Sequence, residues 1–190
     1  MIDAIQMYKM VLTDSISDFE QIIELNKLNN LTMVSKELWA KEGFLSLEFD
    51  TNQLNLIRGK YKHVVAKVNN EVVGYALVML KENKDILPFF DPMFETVKTA
   101  IENGHLYESQ YFVMAQICVA KKYRGLGVFR SLYDELAAQM KDNFSQVVIE
   151  VSPKNTRSMI AHAHIGFKDI MPHESTEVIL DWNVLLWEMN

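Results

Sequence analysis

One stretch of the chain could hold a phosphate. It runs Arg124-Gly125-Leu126-Gly127-Val128-Phe129-Arg130 and follows an apolar run that ends at Cys118-Val119. Leu132, Leu136 and Met140 then recur at helical spacing, so the glycines lie between a strand and an amphipathic helix. A helix start leaves backbone N–H groups unpaired and carries the positive end of the helix dipole, and both favour an anion. Gly125 and Gly127 would let the backbone come close to that anion, because neither carries a side chain that would stand in its way. Without a ligand the same turn is an ordinary strand-to-helix connection. Two common nucleotide motifs are absent. Arg130 stands where the third glycine of G-x-G-x-x-G would be, and no Gly-Lys-Ser/Thr completes a P-loop.

The other reactive groups are sparse. Histidines at 63, 105, 162, 164 and 173 include His162-x-His164 but no i, i+4 pair of the H-E-x-x-H kind, so no metal is expected. Cys118, the only cysteine, has no neighbouring base in sequence and reads as a small core residue. It can form no internal disulfide, which fits a reducing cytoplasm. Glu150 lies near the end of the run Gln146 to Val151, where it is either a functional carboxylate or one facing solvent.

The elements that must position these residues follow from periodicity. A strand is expected over Ile5 to Leu12, then a helix opening at Ser15-Ile16-Ser17-Asp18, a capping-box-like start. A second helical stretch, Ser35 to Lys41, is stopped by Gly43. His63 to Val68 and Glu71 to Leu80 flank Asn69-Asn70 as a hairpin. The connection Asn83 to Glu108, with a helix over Glu95 to Glu102, is long and rich in aromatics. Strands Gln110 to Val119 and Gln146 to Val151 alternate with helices Ser131 to Lys141 and Ser158 to His164, and Trp182 to Met189 closes the chain as a strand. Antiparallel hairpins followed by a strand-helix-strand unit define a mixed α/β fold, a central sheet flanked by helices.

Composition bounds the rest. A chain of 190 residues, 49% hydrophobic and without a linker or repeat, reads as one domain over 1–190. A net charge of -6 supplies no basic surplus for a nucleic acid or an anionic membrane. The longest apolar run, Val72 to Leu80, is too short to span a bilayer, and the N-terminus lacks the basic start of a secretory signal. A homodimer is compatible with these features.

With strand, Tyr-Arg-Gly-x-Gly-Val and helix in this order, the turn resembles motif A of the GNAT N-acetyltransferases, whose core is Gln/Arg-x-x-Gly-x-Gly/Ala. Arg124 and Gly127 match that core, while Phe129 replaces its small residue. Downstream, Asn155-Thr156-Arg157 through Gly166-Phe167 is similar to the Asn-led helix and Gly-Phe of the same superfamily. The resemblance covers Val64 to Phe167. It implies acetyl-CoA as acyl donor and direct attack on its thioester by a primary amine of a small molecule or peptide. It further implies that Arg124 to Arg130 cradle the pyrophosphate, and that backbone groups of Ile117, Cys118 and Val119 bind the pantetheine arm and polarise the thioester carbonyl. Asn155 would contact that arm or simply cap its helix.

The resemblance also implies catalytic residues. Glu150 matches a position where some N-terminal-amine acetyltransferases carry a catalytic base, with Glu108 and Tyr111 in reserve. His162 occupies the place of the family's acid tyrosine and could donate a proton, or could be a packed histidine. His164, about 200° round the helix from it, would face elsewhere. The acceptor would enter between the early helices and the 83–108 connection, near Trp39, Phe89, Phe90 and Phe94, with Asp91 or Glu95 attracting an ammonium. Phe129 and the missing tyrosine leave a second reading, a non-catalytic acyl-CoA-binding or regulatory module on the same fold.

Overall fold

Residues 8–173 and 181–189 are described by the structure, a computed structural model. The elements are β1 (Lys9–Thr13), α1 (Ile16–Asn29), α2 (Trp39–Glu42), α3 (Thr51–Ile57), β2 (His63–Val68), β3 (Glu71–Met79) and α4 (Asp91–Glu102). After them come β4 (Tyr111–Val119), α5 (Val128–Met140), β5 (Gln146–Val151), α6 (Thr156–Ile165), β6 (Lys168–His173) and β7 (Trp182–Glu188). The strands form one seven-stranded sheet in the order β1-β2-β3-β4-β5-β7-β6. Every neighbouring pair is antiparallel except β4 with β5.

Helices cover both faces, as the mixed pattern predicts. Phe19, Ile22 and Leu25 of α1, Leu54 and Ile57 of α3, and Met93 and Val97 of α4 pack on one face with Tyr75, Leu77 and Val148. Leu132, Tyr133, Leu136 and Met140 of α5 pack on the other with Val64, Ala76, Val147 and Ile149. Both faces of β5 therefore carry core residues, Val148 on one and Val147, Ile149 and Val151 on the other, which explains why its sequence shows no clean one-sided alternation. Every residue of β4 is buried, as befits a central strand.

Several boundaries differ from expectation. β1 starts at Lys9, and Ile5 to Met7 of the expected strand lie outside the described residues. The Ser15 cap forms no side-chain bond, and the reciprocal bond is replaced too: Ser15 N donates to Thr13 Oγ1 at 3.1 Å, while the Asp18 carboxylate is taken by Thr13 Oγ1 and Lys67 Nζ, each at 2.6 Å. The reciprocal capping box belongs instead to α3, where Asp50 accepts from Gln53 N at 2.7 Å and Gln53 Oε1 accepts from Asp50 N at 2.9 Å. α4 begins at Asp91, with Pro92 in its first turn. β6 was not expected, since Pro172 interrupts its pattern. It lies at the sheet edge, where a missing N–H is tolerated.

His63 closes the end of the β2–β3 hairpin. Its Nε2 donates to Leu54 O at 2.8 Å, and its Nδ1 accepts the N–H of Val78 at 3.2 Å, so the buried ring is neutral in the native state. Burial lowers its pKa from 6.5 to about 4. The unfolded chain takes up this proton near pH 6.5, so the stabilisation is complete above that value and is lost as pH falls to about 4. The contribution is on the order of 3 kcal/mol at 1.36 kcal/mol per pKa unit. Denaturant unfolding at pH 7 and pH 4.5 should show this loss, and His63→Gln should reduce its pH dependence.

Candidate functional site: a cleft at a parting of strands

β4 and β5 begin as parallel neighbours, pairing Tyr111 with Gln146, Phe112 with Val147 and Val113 with Val148. Beyond Val113 they carry no further pairs and diverge. The cause is local: on β4, Ala115 is an extra residue between the pairs Leu77–Gln116 and Val78–Met114, a bulge of the kind that bends a strand. Past it, β4 continues to pair with β3 through Gly74–Val119, so the backbone groups facing β5 meet a gap. Groups left there suit an extended ligand with amides of its own.

The glycine turn stands at the mouth of this gap. α5 starts at Val128, immediately after Gly127, rather than at the expected Ser131, so its N-terminus opens directly on the turn. Gly125 and Gly127 have φ of 78° and 84°, conformations that L side chains rarely adopt. A Cβ added at Gly125 would meet nothing within 4 Å. The cleft has a volume of about 350 Å3, and the expected residues Ile117, Cys118, Val119, Arg124, Gly125, Gly127, Phe129, Arg130 and Asn155 line it. Two expected side chains do not: Val128 is buried against Gly74, and Leu126 is exposed at the surface. Cys118 is buried, and burial pushes its thiol pKa up to about 12. Its side chain is inert, as its sequence context suggests.

Sequence reasoning missed part of the lining. His164, expected to face elsewhere, lines the cleft together with Arg157, Ser158 and Ala161 of α6. Arg130 donates to the His164 carbonyl, fastening the first turn of α5 to the last turn of α6. The Arg130 and Arg157 guanidiniums, the α5 N-terminus and the open glycine face together fit an anionic ligand. Phe129 does not fill the cradle. Its ring lies edge-on to Tyr133 and His162, with centroids 5.4 and 5.2 Å away.

Arg124 and Asn155 act as braces. Arg124 Nε donates to Val119 O at 2.9 Å, Nη1 to Glu42 O at 2.8 Å and Nη2 to Asn29 Oδ1 at 2.7 Å, joining β4, α2 and α1. Asn155 Oδ1 accepts from Ser158 N at 3.2 Å and its Nδ2 donates to Phe44 O at 2.9 Å. Capping is thus realised for Asn155, and its amide also holds the segment 43–47, which sequence patterning left unassigned. That segment crosses the open end of the gap. Leu47 O accepts from Asn26 Nδ2 at 2.9 Å and from Gln116 Nε2 at 3.0 Å, while Tyr75 OH donates to Gln116 Oε1 at 2.6 Å.

Behind this segment lies a smaller chamber of about 60 Å3, which Glu150 and His162 line. By strand alternation Glu150 shares its face with Val148, the face covered by α1, α3 and α4. Phe89, Phe90 and Trp182 also line the chamber, whereas Asp91, Glu95, Glu108 and Tyr111 line neither cavity. Tyr111 sits at the closed end of the β4–β5 pair, where burial raises its pKa to about 12.

His162 has the packed environment that its sequence left open beside an acid role. Its Nδ1 is 2.8 Å from the Ser158 carbonyl, which can only accept, so the neutral ring carries its single proton there. Its Nε2 is buried without a partner, and Phe129, Tyr133 and Phe167 surround the ring at 5.2 to 5.8 Å. Burial lowers its pKa to about 4. The ring is therefore neutral at pH 7, with its proton committed to backbone.

A gap between two parallel strands has a glycine turn feeding a helix at its mouth and a carboxylate in the chamber beside it. The sequence model of the Acetyltransferase (GNAT) family matches residues 24–167, and the chain belongs to that family of enzymes. No curated protein sequence matches it. Among solved structures it is similar to the Escherichia coli ribosomal-protein-S18-alanine N-acetyltransferase, at 11% identity and TM-score 0.62 over 97% of this chain and 95% of that one. It is also similar to Ard1 from Thermoplasma volcanium, at 13% identity and TM-score 0.67 over 96% and 98% of the two chains. A third likeness is Arabidopsis thaliana NAA60 in complex with acetyl-CoA, at 11% identity and TM-score 0.67 over 96% and 100%. Among the described residues no helix is long and apolar enough to cross a membrane.

Proposed function

We propose that the protein transfers the acetyl group of acetyl-CoA to a primary amine of a small molecule or peptide by direct attack on the thioester. The observation that carries this reading is the divergence of β4 from β5 beyond Val113 and Val148, with the glycine turn at its mouth and Glu150 on the far face. The reading draws further support from the acetyl-CoA complex of NAA60 and from the S18-alanine N-acetyltransferase, both similar in fold.

In this mechanism the N–H groups at the α5 start, with Arg130 and Arg157, bind the pyrophosphate, and acetyl-CoA supplies the activated acyl group. Backbone groups of Ile117 to Val119 face the gap and polarise the thioester carbonyl where negative charge develops. Glu150 takes the proton from the incoming ammonium, so that nitrogen can form the C–N bond as the C–S bond breaks and thiolate departs. His162 supports the α5–α6 contact as packing and supplies no proton.

The test is CoA release from acetyl-CoA in the presence of a panel of amines. Tight acetyl-CoA binding with no turnover on any of them would favour the binding-module reading. His162 has its own test. Because its Nε2 is buried and unpaired, His162→Leu should keep turnover within about tenfold and should leave stability at pH 7 nearly unchanged. Turnover reduced by about two orders of magnitude, the scale of a lost general acid, with acetyl-CoA affinity intact would restore the acid role.

A further inference from the structure

Tyr8 leads into β1 at the edge of the sheet, yet its hydroxyl reaches the glycine turn. It donates to Leu126 O at 3.4 Å and lies 3.1 Å from Ser131 Oγ. A phenol has one proton to give, so with that proton on Leu126 O the Ser131 hydroxyl donates to the Tyr8 oxygen. The ring packs, partly buried, with the apolar face of α5. Ser131 N also donates to Gly127 O at 3.1 Å. The carbonyls of Leu126 and Gly127 are thus both held, one through a relay of two hydroxyls and the other by the opening bond of α5.

The relay sets a direction. In a trans peptide the C=O and N–H point opposite ways, so a Leu126 carbonyl held toward Tyr8 sends the Gly127 N–H to the other side. That side is the cleft. Gly127 lines it whereas Tyr8 and Leu126 do not, and a Cβ added at Gly127 would meet Tyr8 OH at 3.4 Å. Among the described residues no main-chain carbonyl takes the Gly127 N–H. Such a peptide needs holding. Gly127 has φ of 84°, but without a Cβ it adopts negative φ about as readily. The plane between Leu126 and Gly127 can therefore turn over at little steric cost, and turned over it would face an anion with a carbonyl oxygen.

We infer that Tyr8 is a positioning residue of the donor site: its hydroxyl, backed by Ser131, fixes the Leu126–Gly127 peptide with the N–H toward the cleft, so that this donor is in place before the ligand arrives. The inference rests on the reading above that the turn binds the pyrophosphate of acetyl-CoA. It adds a residue that does not touch the ligand and lies more than a hundred positions before the turn. Affinity is gained because the orientation is settled in the free protein rather than on binding.

The experiment is calorimetric titration of the full chain with acetyl-CoA, which needs no acceptor. Tyr8→Phe keeps the ring and removes the hydroxyl, and it should bind about 3- to 10-fold more weakly, the scale of one net hydrogen bond. Ser131→Ala should act in the same direction and add little on top of Tyr8→Phe, because both break one relay; it carries the test if Tyr8→Phe folds poorly. A double-mutant cycle separates positioning from general support of the fold. In a Gly125→Glu background, where the pyrophosphate is already repelled, Tyr8→Phe should change affinity by less than about twofold. Unchanged affinity of both single variants, or a Tyr8→Phe loss that persists at full size beside Gly125→Glu, would overturn the inference alone. Acetyl-CoA that fails to bind the unaltered protein, or binds it equally well after Gly125→Glu, would remove the turn from the donor site and the inference with it.

Discussion

Gly125→Glu is expected to weaken acetyl-CoA binding by about 100-fold or more. The added Cβ points into open space, so the fold has room for the side chain, and the carboxylate lands where the pyrophosphate is expected. Two unit charges 4 Å apart repel by about 4 kcal/mol at an effective dielectric of 20, and every 1.4 kcal/mol is tenfold in affinity. Any non-glycine residue also carries strain at this φ of 78°, so Gly125→Gln is the proper reference. Calorimetric titration with acetyl-CoA should show the glutamate variant far weaker than the glutamine one, and the difference should shrink at high salt. Equal affinities would remove the turn from the binding site.

The second large effect concerns the chemical step. Glu150→Gln keeps the shape of the side chain and removes its ability to take a proton, so turnover should fall by about 100- to 10,000-fold with acetyl-CoA affinity unchanged. If turnover instead stayed within a few fold, a solvent-mediated proton transfer would replace Glu150 as base. The neutral variant separates this role from simple attraction of the ammonium, because attraction acts on KM while proton removal acts on kcat.

Much of the cleft lining was legible in the sequence because its physics is local. A strand, two glycines and a helix start fall within a few consecutive residues, and Gly125, Gly127, Phe129 and Arg130 line the cleft as expected, whereas Leu126 and Val128 do not. What lay beyond reach depends on distant contacts. The roles of Arg124 and Asn155 as braces require Asn29, Glu42 and Phe44, which lie far from them along the chain. The segment 43–47 has no periodicity to announce it, since it is held by side-chain amides rather than by a ladder. His164 was misplaced because a rotation about one helix says which residues oppose each other but not which face meets the cleft. His162 was ambiguous until Phe129 was seen to lie against it, and that contact joins two helices.

The fold followed the same division. Long two-faced strands and strongly amphipathic helices were readable, whereas α3 went unnoticed although its Asp50-x-x-Gln53 box is a sequence signature. A short helix gives the period too few turns to register. β6 was hidden by charge and proline, residues that only an edge strand accommodates.

The early parting of β4 from β5 also bears on how the molecule holds together. The sheet is two smaller sheets, β1-β2-β3-β4 and β5-β7-β6, joined by pairing over Tyr111–Val113 and Gln146–Val148 alone. A donor whose amide-bearing arm lay in the gap would serve as the missing length of strand and stitch the halves into one cooperative unit. Amide hydrogens along Met114 to Val119 would then exchange more slowly, and the protein would melt later, the gain rising with the logarithm of ligand concentration above its Kd. Substrate level and resistance to unfolding would be two readings of one equilibrium.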